Sequence, residues 1–144
     1  MKSSDLKNIF VQSKQTTSIC EQLQNNPISH IHLKGLVGSS PGFIANGVYQ
    51  KFPVNHLFIL NDKEEAAYFF NDLERIVGED KVLFFPSSYR RPYHIEETDN
   101  ANILLRAEVL NALSKKNSTK LIVTYPDALS EKVVTKKNLE KNTL

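Results

Sequence analysis

Three short runs of almost purely apolar residues constrain the fold of this chain more than any other feature. They are HLFIL at 56–60, KVLFF at 81–85 and KLIVTY at 120–125. Runs of this length and composition are typical of strands that are covered on both faces. The segments between them carry apolar residues at helical spacing, and strands that alternate with helices imply right-handed crossovers between parallel strands. We therefore predict an α/β domain built on a parallel sheet.

A fourth strand is predicted ahead of these three. The segment ISHIHLKGLV at 28–37 alternates apolar and polar residues, as a half-buried strand does, and it leads into a glycine-rich turn. The sheet is therefore expected to contain about four parallel strands with flanking helices. This is the arrangement of a Rossmann-like or P-loop-NTPase-like half-domain.

The predicted helices differ in how clearly their ends are marked. Asn61 or Asp62 caps the start of the most regular helix, Glu65 three residues after Asp62 completes a capping box, and Gly78 ends the helix. Another helix begins at Asp99 or Asn100, with a set of apolar residues expected to face inward: Ile103, Leu104, Ala107, Leu110 and Leu113. Helices are also expected within 1–26, over 41–52 and from Pro126-Asp127 onward.

The chain divides into three segments. Residues 1–27 are predicted to form an N-terminal helical extension, 28–134 the α/β domain, and 135–144 the start of a connection to a following domain. The chain is therefore expected to be a fragment of a longer protein. Its 144 residues are enough to bury a core without a disulfide or a metal.

Composition excludes several classes of protein. Cys20 is the only cysteine, which excludes an intrachain disulfide and a four-cysteine zinc site. The four histidines are scattered, so we predict no metal site. A net charge of +2 is too balanced to indicate nucleic-acid binding by itself. No apolar run approaches the ~18 residues of a membrane span, and the chain is expected to be cytoplasmic.

The turn after the first predicted strand lies where a nucleotide-binding loop belongs. A working phosphate loop needs a lysine for the phosphates and then a Ser or Thr hydroxyl for magnesium, but Pro41 and Gly42 stand at these two positions. We therefore interpret the turn as a degenerate phosphate loop that is structural, or at most binds an anion weakly through the amides of residues 38–40. We predict no catalytic residue and no cofactor in this chain. The turn consists of Gly35, Gly38, Ser39, Ser40, Pro41 and Gly42 with the residues between them.

A polar loop at the end of the third predicted strand is the second candidate site. It contains Tyr89, Arg90, Arg91 and Tyr93. Arginine and tyrosine together suit phosphate contacts and stacking, or an anchor in a protein interface, so the loop is a candidate interface. The alternative is that the rings pack over the edge of the sheet and the arginines are solvated.

The order of these elements resembles one family. Two stretches carry most of the likeness: VLFFPSSYRRPYHIEETDNANILLRAEVL at 82–110, with Arg106 on its helix, and LIVTYPDALSEKV at 121–133. They resemble the N-terminal module of the bacterial transcription-repair coupling factor Mfd, which is itself similar to the excision-repair protein UvrB. The resemblance covers residues 35–134. In UvrB the glycine turn carries the lysine and threonine of a phosphate loop, whereas the Mfd module lacks them, as this chain does.

The resemblance implies a non-catalytic module of a larger protein. In that parent a separate motor domain uses Mg-ATP to move on DNA, displaces stalled RNA polymerase and recruits UvrA. The implied partners are the parent's other domains and UvrA, the latter mainly through the domain that follows. RNA polymerase and DNA are contacted through other parts of the parent, and no membrane is involved. Two alternatives remain open: an authentic P-loop NTPase or helicase half-domain, and a free-standing Rossmann-like protein that binds a small anion.

Overall fold

The computed structural model describes residues 3–26, 28–89, 99–115 and 118–133, which form an α/β fold with a small parallel sheet and flanking helices. The strands are β1 (His56–Ile59), β2 (Val82–Phe84) and β3 (Leu121–Thr124). The helices are α1 (Ser3–Val11), α2 (Lys14–Asn25), α3 (Ser40–Lys51), α4 (Lys63–Val77), α5 (Asn100–Ser114) and α6 (Pro126–Ser130). Within the described residues, no helix is both long and apolar enough to cross a membrane.

The three apolar runs form the sheet, as predicted. The strand order is β1-β3-β2, and β3 pairs in parallel with both neighbours. In the register of the sheet, Val123 lies between Phe58 and Phe84. All four residues of β3 are buried, which explains why its sequence is apolar without alternation.

The predicted fourth strand is not formed. Among the described residues the sheet has three strands, and residues 28–37 run as irregular chain. Gly35 adopts a φ of +78°, which interrupts an extended strand before the end of the predicted segment. The alternation nevertheless has a structural basis, because Ile31 packs against the cluster of Ile19, Cys20 and Val48 between α2 and α3. The prediction of a half-buried strand was therefore wrong about the backbone and correct about burial only at Ile31, since Ile28, Leu33, Leu36 and Val37 are 78%, 40%, 36% and 79% exposed.

The ends of α4 follow the prediction with one change. Asp62 caps the helix, since its side chain accepts a hydrogen bond of 2.8 Å from the Glu65 N–H. The reciprocal bond of a capping box would run from the Asp62 N–H to Glu65. Instead, Glu65 accepts from the backbone N–H and the side-chain amide of Asn61, at 3.3 and 2.8 Å. Gly78 ends the helix with a φ of +120°, a conformation that favours glycine.

The first two helices pack closely on α3. At Gly47 of α3, a Cβ atom would lie 2.9 Å from Cγ2 of Thr16 on α2, so the missing side chain permits the approach. The Thr16 hydroxyl is fully buried and donates a 2.8 Å hydrogen bond to the carbonyl of Phe10. The ring of Phe10 stacks on Phe43 of α3 at a centroid distance of 5.1 Å. These contacts join the N-terminal helices to the rest of the fold.

The prediction for the inward face of α5 was wrong for three residues. Ile103, Leu104 and Leu113 are 42%, 71% and 46% exposed, and the buried positions of the helix are Arg106 and Val109. Apolar residues occur on most sides of α5, so their spacing does not select one face. The helix is oriented instead by Arg106, which reaches into the fold beneath it. That orientation leaves Leu104 in solvent.

Candidate functional site

The glycine turn before α3 is closed by its own hydrogen bonds. The Val37 N–H donates to the hydroxyl oxygen of Ser40 at 2.8 Å, and the Ser40 N–H donates back to the Val37 carbonyl at 3.2 Å. The Ser40 amide is therefore bonded within the turn, and weak anion binding through the amides of residues 38–40 stays a prediction. Ser39 precedes α3 without a side-chain capping bond, and Pro41 in the first turn has no N–H to donate.

Each glycine of the turn has a structural reason. Gly35 and Gly38 have φ values of +78° and +55°, and a Cβ atom at either would meet nothing within 4 Å. Glycine is therefore favoured at these two positions by the positive φ, and not by the close approach of another group. A Cβ at Gly42 would lie 3.0 Å from Cδ1 of Ile76, so Gly42 lets α3 pack against α4. The position that would hold a magnesium-binding hydroxyl in a phosphate loop is thus a helix-packing position here.

The polar loop of the second candidate site is only partly described. Arg90, Arg91 and Tyr93 lie outside the described residues. Tyr89 is half-buried, and its N–H donates to the Ser87 hydroxyl at 3.3 Å. The structure therefore shows how this loop begins, at Ser87 and Ser88.

A buried carboxylate holds the beginning of the loop. Glu131, just after α6, accepts hydrogen bonds from both Ser87 and Ser88. The Ser88 N–H donates to Oε1 at 3.0 Å and the Ser88 hydroxyl to Oε2 at 2.7 Å, and the Ser87 hydroxyl also donates to Oε1. Both oxygens of Glu131 are engaged, and its side chain is 11% exposed.

Arg106 completes this arrangement from α5. Its Nη1 donates to the carbonyls of Pro86 and Ala128 at 2.8 and 3.0 Å and lies 3.5 Å from Oε2 of Glu131. The guanidinium carbon lies 4.1 Å from the ring centroid of Phe85, which is a cation–π distance. One side chain thus joins α5, the end of β2 and α6. We name Arg106, Glu131, Ser87 and Ser88 the Arg106–Glu131 clamp.

Neighbouring polar groups extend the clamp across the carboxyl ends of β2 and β3. The Ser87 N–H donates to the Tyr125 hydroxyl at 2.9 Å, and the Asn102 side-chain amide donates to the Ser87 carbonyl at 2.9 Å. The buried Thr124 hydroxyl donates to the Phe85 carbonyl at 2.8 Å. Burial raises the pKa of Tyr125 above its ordinary value, so its hydroxyl stays protonated at neutral pH.

The sequence prediction missed the clamp. Arg106 entered only as part of the family resemblance, and Ser87, Ser88 and Glu131 were not singled out. One signal was present: the charged residues Arg106 and Glu108 interrupt the apolar sequence ILLRAEVL of α5. A buried charge needs a partner, but the partner lies 25 positions away at Glu131 and no local pattern identifies it. Within the part of the chain that the structure describes, no group of three or more His, Cys, Asp or Glu residues could hold a metal ion.

Glu131 makes the stability of the fold depend on pH. Its burial raises the pKa, but the hydrogen bonds from Ser87 and Ser88 and the charge of Arg106 outweigh burial, and the pKa lies below its ordinary value. A carboxyl group whose pKa is lower in the folded state contributes stability above its unfolded pKa of about 4.3. That contribution is lost as the pH falls through the folded pKa.

We therefore expect the stability advantage of the wild type over Glu131→Gln to be complete near neutral pH. The advantage should shrink as the pH falls below about 4.3. Urea denaturation of both proteins between pH 7 and pH 3 measures it. A constant difference over this range would contradict the charged clamp.

Comparison with protein-family models, with curated proteins and with solved structures found no match for this chain. The family resemblance therefore rests on the sequence stretches that carry it.

Proposed function

We propose that this chain is the non-catalytic N-terminal module of a transcription-repair coupling factor. In this proposal the module derives from a P-loop half-domain, has lost nucleotide binding, and acts as a scaffold for neighbouring domains. The parent protein would be an ATP-dependent DNA translocase of the cytoplasm. The proposal concerns this chain as an interaction module and assigns the hydrolysis of ATP to the parent's motor domain.

The self-closed glycine turn is the observation that carries the proposal. A nucleotide-binding turn keeps its amides free and adds a lysine and a hydroxyl for the phosphates and magnesium. Here Ser40 is bonded within the turn, Pro41 occupies the lysine position, and Gly42 is packed against Ile76. Restoring catalysis would require changes in charge, hydrogen bonding and helix packing together.

The Arg106–Glu131 clamp lies at the carboxyl ends of β2 and β3, which after the glycine turn is the second place where an α/β fold would bind a ligand. Its bonding there supports a scaffold role. In open α/β sheets, ligands usually bind beyond the carboxyl ends of the strands. At the ends of β2 and β3 the Glu131 carboxylate, the Ser87 hydroxyl and Nη1 of Arg106 instead bind one another and nearby carbonyls. They are committed to holding α5, α6 and the start of the loop.

The proposed partners follow from this role. Other domains of the parent would contact this module directly, and UvrA would be recruited mainly through the domain that follows. RNA polymerase and DNA would be bound by other parts of the parent. Leu104 on α5, Leu129 on α6 and Val133 beyond the end of α6 are 71%, 43% and 50% exposed, so apolar surface is available on and next to these two helices.

The reading frame beyond Leu144 gives the most direct test of the parent. We expect it to continue into the remainder of a UvrB-like module and then into a motor domain with a complete phosphate loop. Sequencing the gene downstream of this segment checks the expectation. A stop codon directly after Leu144 would exclude the proposed parent and favour a free-standing anion-binding protein.

Titration with Mg-ATP tests the loss of nucleotide binding. A helix N-terminus contributes about 0.3–1 kcal/mol toward an exposed anion, whereas micromolar binding requires about 8 kcal/mol. We therefore expect no ATP hydrolysis and no binding tighter than about millimolar, measured by calorimetry. A micromolar isotherm that Gly38→Asp abolishes would instead identify an authentic nucleotide site.

A further inference from the structure

An apolar groove of about 460 Å³ runs along the open edge of the sheet. It is lined by β1, by residues of α3 and by Phe69 of α4. Leu33 and Leu36, two residues of the segment that was predicted as a strand, also line it. We name residues 31–36 the strap.

The backbone of β1 offers unpaired groups to this groove. The His56 N–H donates to the Lys120 carbonyl and the Leu60 N–H to the Thr124 carbonyl, so every second residue of β1 faces β3. Leu57 and Ile59 lie between these positions and direct their N–H and C=O groups to the other side. Within the described residues, no strand pairs with that side. The two side chains are also 54% and 55% exposed.

The strap carries the side-chain pattern that a strand at this edge would need. Ile31 already packs on the cluster between α2 and α3, and Leu33 already lines the groove. The alternate residues His32 and Lys34 are exposed. Ile31 and Leu33 thus lie on the same side of the strap, where Ile31 is half-buried and Leu33 is still 40% exposed, and closing onto β1 would cover both. The strap is also followed by α3 and then β1, the order of a parallel crossover unit.

We propose that the strap closes onto β1 as a fourth parallel strand and exchanges with the irregular position seen in the structure. Closing fills the groove with residues of the same chain and pairs the free groups of Leu57 and Ile59. It thereby protects an edge that could otherwise accept an extended segment of another molecule. This exchange is independent of the function proposed above.

Gly35 is the hinge of this exchange and provides the test. Its φ of +78° in the open position is costly for alanine by about 1–2 kcal/mol, whereas an extended strand suits alanine. Gly35→Ala should therefore shift the exchange toward the closed position by about five- to thirtyfold, at tenfold per 1.4 kcal/mol. A Cβ there meets no atom within 4 Å, so the substitution adds no clash in the open position.

Amide hydrogen exchange followed by NMR measures the closure. We expect Gly35→Ala to slow exchange at the Leu57 and Ile59 amides about threefold or more, and to leave Phe58, which faces β3, unchanged. Gly38→Ala is the matched control, because Gly38 has a φ of +55° but lies outside the strap. Leu33→Asp should speed exchange at the two edge amides by placing a charge in the groove.

Three results would overturn the proposal. One is unchanged exchange at Leu57 and Ile59 in Gly35→Ala. Another is equal slowing in Gly38→Ala, which would mean a general effect of the turn. The third is slowing that increases with protein concentration, because the edge would then pair with a second copy rather than with the strap.

Discussion

Replacing Arg106 with alanine is expected to lower the free energy of unfolding by about 3–5 kcal/mol. The substitution leaves Glu131 as a buried carboxylate without its countercharge and removes the donors of the Pro86 and Ala128 carbonyls. It also removes the contact of the guanidinium with the Phe85 ring. Breaking a buried pair costs more than the pair itself contributes, because the remaining charge stays in a medium of low dielectric constant.

Urea denaturation at neutral pH measures this loss. Arg75→Ala is the matched control, since Arg75 is an exposed arginine on α4, and it should change the free energy of unfolding by less than about 0.5 kcal/mol. Arg106→Lys keeps the charge but cannot reproduce the planar arrangement of donors, so it should recover only part of the loss. If Arg106→Ala lowered the free energy of unfolding as little as Arg75→Ala does, the clamp would not hold the fold together.

The three strands could be predicted from the sequence because each is a short, unbroken apolar run. KVLFF and KLIVTY are largely buried, as such a run predicts, whereas Leu57 and Ile59 of HLFIL are 54% and 55% exposed. The irregular path of residues 28–37 could not be predicted in the same way. Alternation of side chains reports which side of a segment is covered, and the covered side was correct for Ile31. It does not report whether the backbone is paired with β1.

The orientation of α5 shows a second limit. Its apolar residues predict a face that includes Leu104, whereas the structure buries Arg106. The deciding interactions are bonds to the carbonyls of Pro86 and Ala128 and to Glu131, all of them 20 or more residues away in sequence. Periodicity within one helix contains no information about such partners.

The glycine turn could be predicted in chemistry but not in geometry. Pro41 and Gly42 stand where a phosphate loop needs a lysine and a hydroxyl, so the residue types predict that the turn does not work as one. Only the structure shows that the Ser40 side chain binds the Val37 N–H and that Gly42 packs against Ile76. The sequence therefore established what the turn lacks, and the structure adds what its residues do instead.

Leu73→Ala and Leu104→Ala together test whether α5 is oriented as in the structure or as its apolar spacing predicts. Leu73 on α4 is completely buried in the main core, whereas Leu104 on α5 is 71% exposed. Truncating a buried leucine costs about 2–5 kcal/mol, because apolar contacts are lost and a cavity remains. Leu104→Ala should change the free energy of unfolding by less than about 0.5 kcal/mol, since alanine also favours the helix. Urea denaturation of the two variants separates these two orientations of α5. A loss of several kcal/mol in the free energy of unfolding of Leu104→Ala would mean that α5 faces inward at this residue, as the apolar spacing predicted. Arg106 would then not set the orientation of the helix.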